Sequence, residues 1–291
     1  MQRLLYILVY PMLWLISLLP LRILQIKSTL LFYLVYYVIG YRKNVVNENL
    51  ALVFPNMPKA DRKRIAEKFY RHLCDIIFET IKSISISEAE IKSRFHFENL
   101  HILEEYYQKD RNILLMCGHY ASWEWSGILN KMMPYKGFAV YKKLDNRYFD
   151  KLVKKIRGRF GATIVSNRKI VPLLFRRSKK GEKSLTLILS DQTPKMGAFK
   201  HRDTFMGIDV PVFTGTEELA KKLDFSAMYL HVEKIKRGYY TARFIPLAEK
   251  PKDFPDFEIT RKFLNEIEKQ IHHQPEFYLW SHKRWKLRNQ N

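Results

Sequence analysis

His119 and Glu124, in the stretch Cys117-Gly118-His119-Tyr120-Ala121-Ser122-Trp123-Glu124-Trp125, are the side chains whose types and spacing best suit chemistry. A histidine that donates one ring N–H to a carboxylate is held in one tautomer and made more basic at its other nitrogen. That is what a general base acting on a hydroxyl needs. On a regular helix the two residues would sit roughly 140° apart around the axis and could not meet. The pairing therefore expects His119 in a loop ahead of a helix, with its ring folded back onto Glu124. Without that pairing, His119 is a strand-end histidine bonded to backbone and Glu124 a solvated helix residue.

The elements that must position them follow from local pattern. The apolar run Ile113-Leu114-Leu115-Met116 ends at a polar break and reads as a buried strand, with Gly118 as punctuation before a helix over residues 123–133. Further strands are expected at 137–141, 163–165, 185–189, 226–231 and 239–246, and helices at 148–160, 171–179, 215–223 and 257–273. This alternation predicts an α/β fold: an open, mixed or mostly parallel sheet flanked by helices, with ligands at the strand ends.

Two of those ends carry further candidates. The strand 185–189 delivers Asp191 in Ser190-Asp191-Gln192-Thr193-Pro194, a carboxylate suited to a site and equally to capping a turn. The helix 148–160 ends in Lys154-Lys155-Ile156-Arg157-Gly158-Arg159, bases that complement a helix dipole or offer a guanidinium fork to phosphate. The register leaves both Arg157 and Arg159 open for that role.

A formal net charge of +22 over 291 residues implies an anionic partner: nucleic acid, an anionic lipid surface or a phosphorylated substrate. With 47% hydrophobic residues the chain can build a sizeable core, which excludes overall disorder. Two cysteines, Cys74 and Cys117, are too few for a disulfide framework and suit a reducing, cytoplasm-facing environment. Neither the His119–Glu124 spacing nor the adjacent His272-His273 matches a zinc hydrolase, so no metal or other cofactor is expected. Ser122 and Ser126 lack a Gly-x-Ser-x-Gly elbow.

Residues 4–21 run without a charge, interrupted only by Pro11, Ser17 and Pro20, which is the short end of a membrane span. The Tyr- and Phe-rich run 30–39 suits an interfacial position. Residues 1–41 are thus expected to be an N-terminal transmembrane or interfacial anchor, and 42–291 one further domain. Arg22, Lys27, Arg42 and Lys43 follow the first run and put that domain on the cytoplasmic side.

Several motifs in order resemble those of the lipid A late acyltransferases, the lauroyl and myristoyl transferases of lipopolysaccharide assembly within the lysophospholipid acyltransferase superfamily. They are Arg42 with Asn49-Leu50 and Phe54-Pro55, the Gly118-to-Glu124 motif, Asp191-Gln192, Phe205-Met206-Gly207, and Thr214-Gly215 with Leu219-Ala220. The closing Pro275-Glu276-Phe277-Tyr278-Leu279-Trp280-Ser281-His282-Lys283-Arg284-Trp285-Lys286 is the most specific of the matches. Ala121 and Ser122 stand where the family commonly has Gly-Asn, and Lys142-Lys143 where many members have Arg-Pro. These departures bear on the acceptor more than on the reaction type.

The resemblance implies a glycerolphosphate-acyltransferase-like fold at the bacterial inner membrane, with the catalytic domain facing the cytoplasm. It implies an O-acyltransferase with His119 as general base and Glu124 as its partner. An acyl carrier protein would be the donor and an anionic phosphorylated lipid the acceptor, held by Arg157 or Arg159, with Asp191 as an orienting residue. Membrane association is expected and nucleic acid is not. Other lipid acceptors, a lysophospholipid or an aminolipid, fit the same chemistry. A non-catalytic basic protein of membranes or nucleic acid accounts for the charge but not for ordered motifs at successive strand ends.

Overall fold

The structure, a computed structural model, describes residues 2–289. Two apolar helices lead, α1 (Gln2–Leu18) and α2 (Leu21–Tyr33), and α2 continues through π-helical turns at Leu34–Ile39. The break between them falls at Leu19-Pro20, because a residue before proline is driven out of the helical region. Gly40, at φ +64°, ends the second helix in the left-handed conformation that glycine adopts without strain.

This break moves the expected anchor. The stretch long and apolar enough to cross a membrane is Leu21–Ile39, with Leu5–Leu18 a shorter apolar helix before it. The run expected to be interfacial is the second half of that longer helix. Its length and apolar exposure are consistent with a membrane anchor and inner-membrane association.

Both helices also rest on the body of the protein. Tyr6 of α1 stacks on Tyr148 with ring centroids 5.6 Å apart, and Ser28 of α2 donates to Asp75 Oδ1 at 2.7 Å. Asp75 belongs to α4 (Lys59–Lys82), which follows α3 (Lys43–Val53). The short helices α5 (Glu88–Lys92) and α6 (His101–Gln108) bracket strand β1 (Phe95–Phe97).

The remaining strands are β2 (Ile113–Cys117), β3 (Lys136–Tyr141), β4 (Thr163–Ser166), β5 (Ser184–Leu189), β6 (Arg202–Phe205), β7 (Ile208–Pro211), β8 (Ser226–Lys236) and β9 (Tyr239–Ala248). Helices α7 (Arg147–Arg157), α8 (Ile170–Ser178), α9 (Gly215–Leu223) and α10 (Glu258–His273) complete the chain. Seven strands form one mixed sheet in the order β1-β9-β8-β2-β5-β3-β4, and β6 and β7 form a separate hairpin. The pairs β8–β2, β2–β5, β5–β3 and β3–β4 are parallel, β8–β9 is antiparallel, and β1 joins β9 in parallel.

All of β2 is buried, as the central strand of a sheet covered on both faces must be. Its side chains serve two cores. Leu114 packs with Leu174 of α8 and Leu219 of α9, while Leu115 joins the larger core with Phe69 of α4 and Ile267 of α10. The helix expected over 123–133 is instead a 3₁₀ segment, Trp125–Lys131. Over so short a stretch, the buried Trp125, Ile128 and Leu129 fit a period of three as well as 3.6.

Candidate active site

Strands β2 and β5 lie side by side in register, Cys117 opposite Leu189, and Ser190 N donates to Cys117 O at 3.0 Å. The residues after each strand therefore leave the sheet together. His119 N donates to Asp191 Oδ2 at 3.0 Å, and His119 Nδ1 lies 2.7 Å from Asp191 Oδ1. An ionised carboxylate only accepts, so Nδ1 carries the hydrogen. Nε2 is left as the acceptor, 3.1 Å from the side-chain nitrogen of Gln192.

Burial by itself pushes the Asp191 carboxyl up, but the electrostatic attraction of the His119 ring and the hydrogen bonds from that ring and the His119 backbone outweigh it. The carboxyl is left below the ordinary range and stays ionised. Gly118 lets the strands and α10 close on this pair: a Cβ there would stand 1.9 Å from Ile267 Cδ1.

The carboxylate on His119 is thus that of Asp191, and Glu124 is not folded back onto the ring. With the chain turning into a 3₁₀ segment just after Glu124, its carboxylate meets α7 instead. Arg157 Nε donates to Glu124 Oε2 at 2.9 Å and to Oε1 at 3.2 Å, and Nη2 donates to Oε1 as well. Trp123 takes the place beside the histidine, edge-on with ring centroids 5.2 Å apart. The two arginines left open by the sequence separate here. Arg157 reaches Glu124, whereas Arg159 Nη1 donates to the carbonyls of Ser83 and Ile84 at the end of α4.

Trp123, Glu124 and Arg157 also form part of the wall of a narrow cavity of about 60 Å³. Its other walls are largely apolar, among them Leu115, Leu129, Met133, Phe138, Leu187 and Leu230. A slot of this kind, with one ion pair in its wall and a histidine–carboxylate pair beside it, has the apolar lining of a chain site next to a base, with room as it stands for a short aliphatic segment.

The C-terminal motif straps the site shut from one side. Leu279 N donates to His119 O at 3.1 Å and Ala121 N to Phe277 O at 3.1 Å, so residues 277–279 pair with the motif backbone. Asn49 of α3 donates to the carbonyls of Trp280 and His282, and Arg42 to that of Ser281. The early Arg42 and Asn49 motif therefore serves to hold the late one. Within the strap Arg284 is 1% exposed, its Nη1 donates to Pro211 O at 3.3 Å, and its Nε has no partner among the described residues. Burial lowers its pKa, and the nearby Tyr278 and Asp191 act the other way.

Beneath the motif, Glu79 of α4 accepts from Tyr240 Oη at 2.9 Å and from Ser122 Oγ at 3.4 Å. Burial pushes its carboxyl up to about 7, opposed by the Lys234 charge. Cys117 is buried and its thiol is pushed well up by burial and by Asp191, so it is held protonated and unreactive. A second histidine–carboxylate pair, His231 Nε2 and Glu233 at 2.6 Å, lies on β8 beside Arg243 and is absent from the cavity wall. Among the described residues no three His, Cys, Asp or Glu side chains gather as a metal site.

Trp123, Gln192 and Arg284 stand in motifs legible in the sequence but were given no role from it, and Glu79, in the middle of an amphipathic helix, had no local signal.

Comparison with known proteins gives a consistent result. Residues 1–287 match the family model described as bacterial lipid A biosynthesis acyltransferase. The lipid A biosynthesis lauroyltransferase of Escherichia coli strain K12 is 27% identical over 251 residues, covering 85% of this chain and 80% of that protein. The palmitoleoyltransferase of the same strain is 24% identical over 253 residues, covering 85% and 79%. A lipid A biosynthesis acyltransferase of Haemophilus influenzae is 26% identical over 256 residues, covering 85% and 78%.

Proposed function

The chain belongs to the bacterial lipid A biosynthesis acyltransferase family, and from that premise we propose that it moves a fatty acyl chain from acyl carrier protein to a hydroxyl of a lipid A precursor. His119 Nε2 takes the proton of the acceptor hydroxyl in place of its contact with Gln192, while Asp191 holds the ring and balances the imidazolium that forms. The acceptor oxygen attacks the thioester carbonyl, the tetrahedral intermediate collapses, and the departing thiolate recovers the proton from His119. Every atom and proton in the exchange is then accounted for.

Glu124 occupies the Nε–Nη2 edge of the Arg157 guanidinium and leaves Nη1 for an anionic oxygen, the acceptor phosphate. Glu124 thereby acts on the reaction through Arg157. The acyl chain enters the slot behind Trp123 by parting flexible side chains such as Leu129 and Met133. The N-terminal helices hold the domain on the cytoplasmic face of the inner membrane, where both lipid and carrier protein are met.

One observation supports this reading above the others: Trp123 touches the His119 ring and also lines the apolar slot. The test is acyl transfer from labelled acyl carrier protein by detergent-solubilised protein. A lipid A precursor would be compared with lysophospholipids, and His119→Ala and Asp191→Asn run beside the intact chain. Transfer to the precursor, lost in both folded variants, is the expected result. Transfer to a different lipid would keep the base and discard the acceptor. Full activity without His119 would end the mechanism.

A further inference from the structure

A second cavity, of about 220 Å³, lies away from the reactive pair between α2, α4 and the β8–β9 turn. Its lining is Ser28, Thr29 and Phe32 from α2, Arg71 and Asp75 from α4, and Lys234 and Arg237 at the turn. It shares no residue with the slot beside His119.

Three cations face one carboxylate there, an excess of two positive charges. Asp75 is fully engaged: Arg237 Nε and Nη2 donate to Oδ1 at 2.8 and 2.6 Å, Ser28 donates to the same oxygen at 2.7 Å, and Lys234 to Oδ2 at 3.3 Å. Arg71 is not. Its guanidinium lies 4.1 Å over the ring of Phe32 and 5.9 Å from that of Tyr33, and it makes no hydrogen bond or ion pair with any described residue. Stacking on a ring face holds the guanidinium plane while leaving its N–H edges for an anion.

The cavity also borders exposed apolar surface. Ile26, Leu30, Tyr33 and Tyr37 recur at helical spacing on the exposed side of the second helix, next to Thr29 and Phe32. On the opposite side Leu24, Ser28 and Phe32 are buried against the domain, with Ser28 tied to Asp75, so this helix is anchored on one side and leaves an apolar strip outward.

We propose that this pocket binds the phosphate headgroup of an anionic bilayer phospholipid, with Arg71 and Lys234 on the phosphate and the acyl tails along Ile26, Leu30, Tyr33 and Tyr37. It is a lipid site separate from the reaction centre and does not depend on which acceptor the enzyme acylates. An arginine fork and a lysine point charge suit a phosphate, and the adjoining apolar strip suits its tails.

The full chain would be partitioned onto vesicles of phosphatidylcholine alone and of phosphatidylcholine with phosphatidylglycerol, for the intact protein, Arg71→Met, Arg71→Lys and a control, Lys179→Met/Lys180→Met. Arg71→Met keeps the stem on Phe32 and removes the charge. It should weaken binding to the phosphatidylglycerol vesicles by roughly fivefold or more, with partial rescue by Arg71→Lys. The control should fall by less, and transfer in detergent should stay unchanged. An equal loss in the control would make the effect one of overall charge and sink the site. Thermal stabilisation by inorganic phosphate equal to that by a short-chain phosphatidylglycerol, abolished in Arg71→Met, would assign the pocket to free phosphate. A raised KM for the lipid acceptor in detergent would assign it to the substrate.

Discussion

His119 and Asp191 lie 72 positions apart in sequence, yet the ring Nδ1 of one stands 2.7 Å from a carboxylate oxygen of the other, with the backbone N–H of His119 on the second oxygen at 3.0 Å. This two-point clamp fixes both the ring and its tautomer. Asp191→Asn keeps the shape, but its amide can present N–H to Nδ1 and turn the proton onto the wrong nitrogen. Turnover is expected to fall about 10³- to 10⁴-fold, with the melting temperature little changed. A variant that turns over like the intact enzyme would remove Asp191 from the mechanism.

Glu124 and Arg157 act as one unit. Glu124→Gln and Arg157→Met should each raise KM for the lipid acceptor, because the first frees the guanidinium and the second removes it. In the double variant the losses should not add, and a coupling of about 1–3 kcal/mol is expected from a double-mutant cycle on kcat/KM. Simple additivity would mean that the ion pair does not organise the acceptor.

Glu79 makes stability depend on pH. Its carboxyl is raised by burial to about 7 from an unfolded value of 4.5, so the folded protein holds this proton more tightly than the unfolded chain. The stability it contributes is fully present below about 4.5 and is lost as pH rises toward 7, on the order of 3 kcal/mol in all. Denaturant titrations of the intact chain and Glu79→Gln across that window would show the slope in the first and its reduction in the second. Parallel curves would place the effect elsewhere.

Gly118→Ala tests the packing around the clamp. The added methyl meets Ile267 Cδ1 inside a closed core, and the isoleucine has to rotate or α10 has to shift. A stability loss of about 1–3 kcal/mol is expected. Pairing it with Ile267→Val should recover part of that loss, which an unrelated effect of the alanine would not.

Arg284 is a buried guanidinium that has no carboxylate in hydrogen-bonding contact among the described residues. Removing an unpaired buried charge need not harm a fold, so Arg284→Met should leave the melting temperature equal or higher. Its positive charge acts on Asp191, and losing it should lower turnover by about tenfold, with Arg284→Lys intermediate. Collapse of the fold in both variants would make the residue structural.

The sequence alone was enough for the layered α/β fold, because a buried central strand and the amphipathic helices around it follow from local hydrophobic period. Five apolar or near-apolar residues from Ile113 to Cys117 could become little else. It was also enough for the family, because the motifs from Arg42 to Arg284 are contiguous strings. It placed His119 and Asp191 at strand ends, but it could not join them. Which strand lies next to β2 is a matter of sheet order, and the pairing with β5 rather than β3 is set by the crossovers between them. The nearest carboxylate in sequence, Glu124, was the natural choice for His119 until the turn at Trp125 directed it to Arg157. For the same reason the anchor shifted, since whether α1 and α2 form one run or two depends on a single proline. The surroundings of Arg284, Glu79 and Arg71 were decided only in three dimensions, where burial and distant neighbours determine what a charge can do.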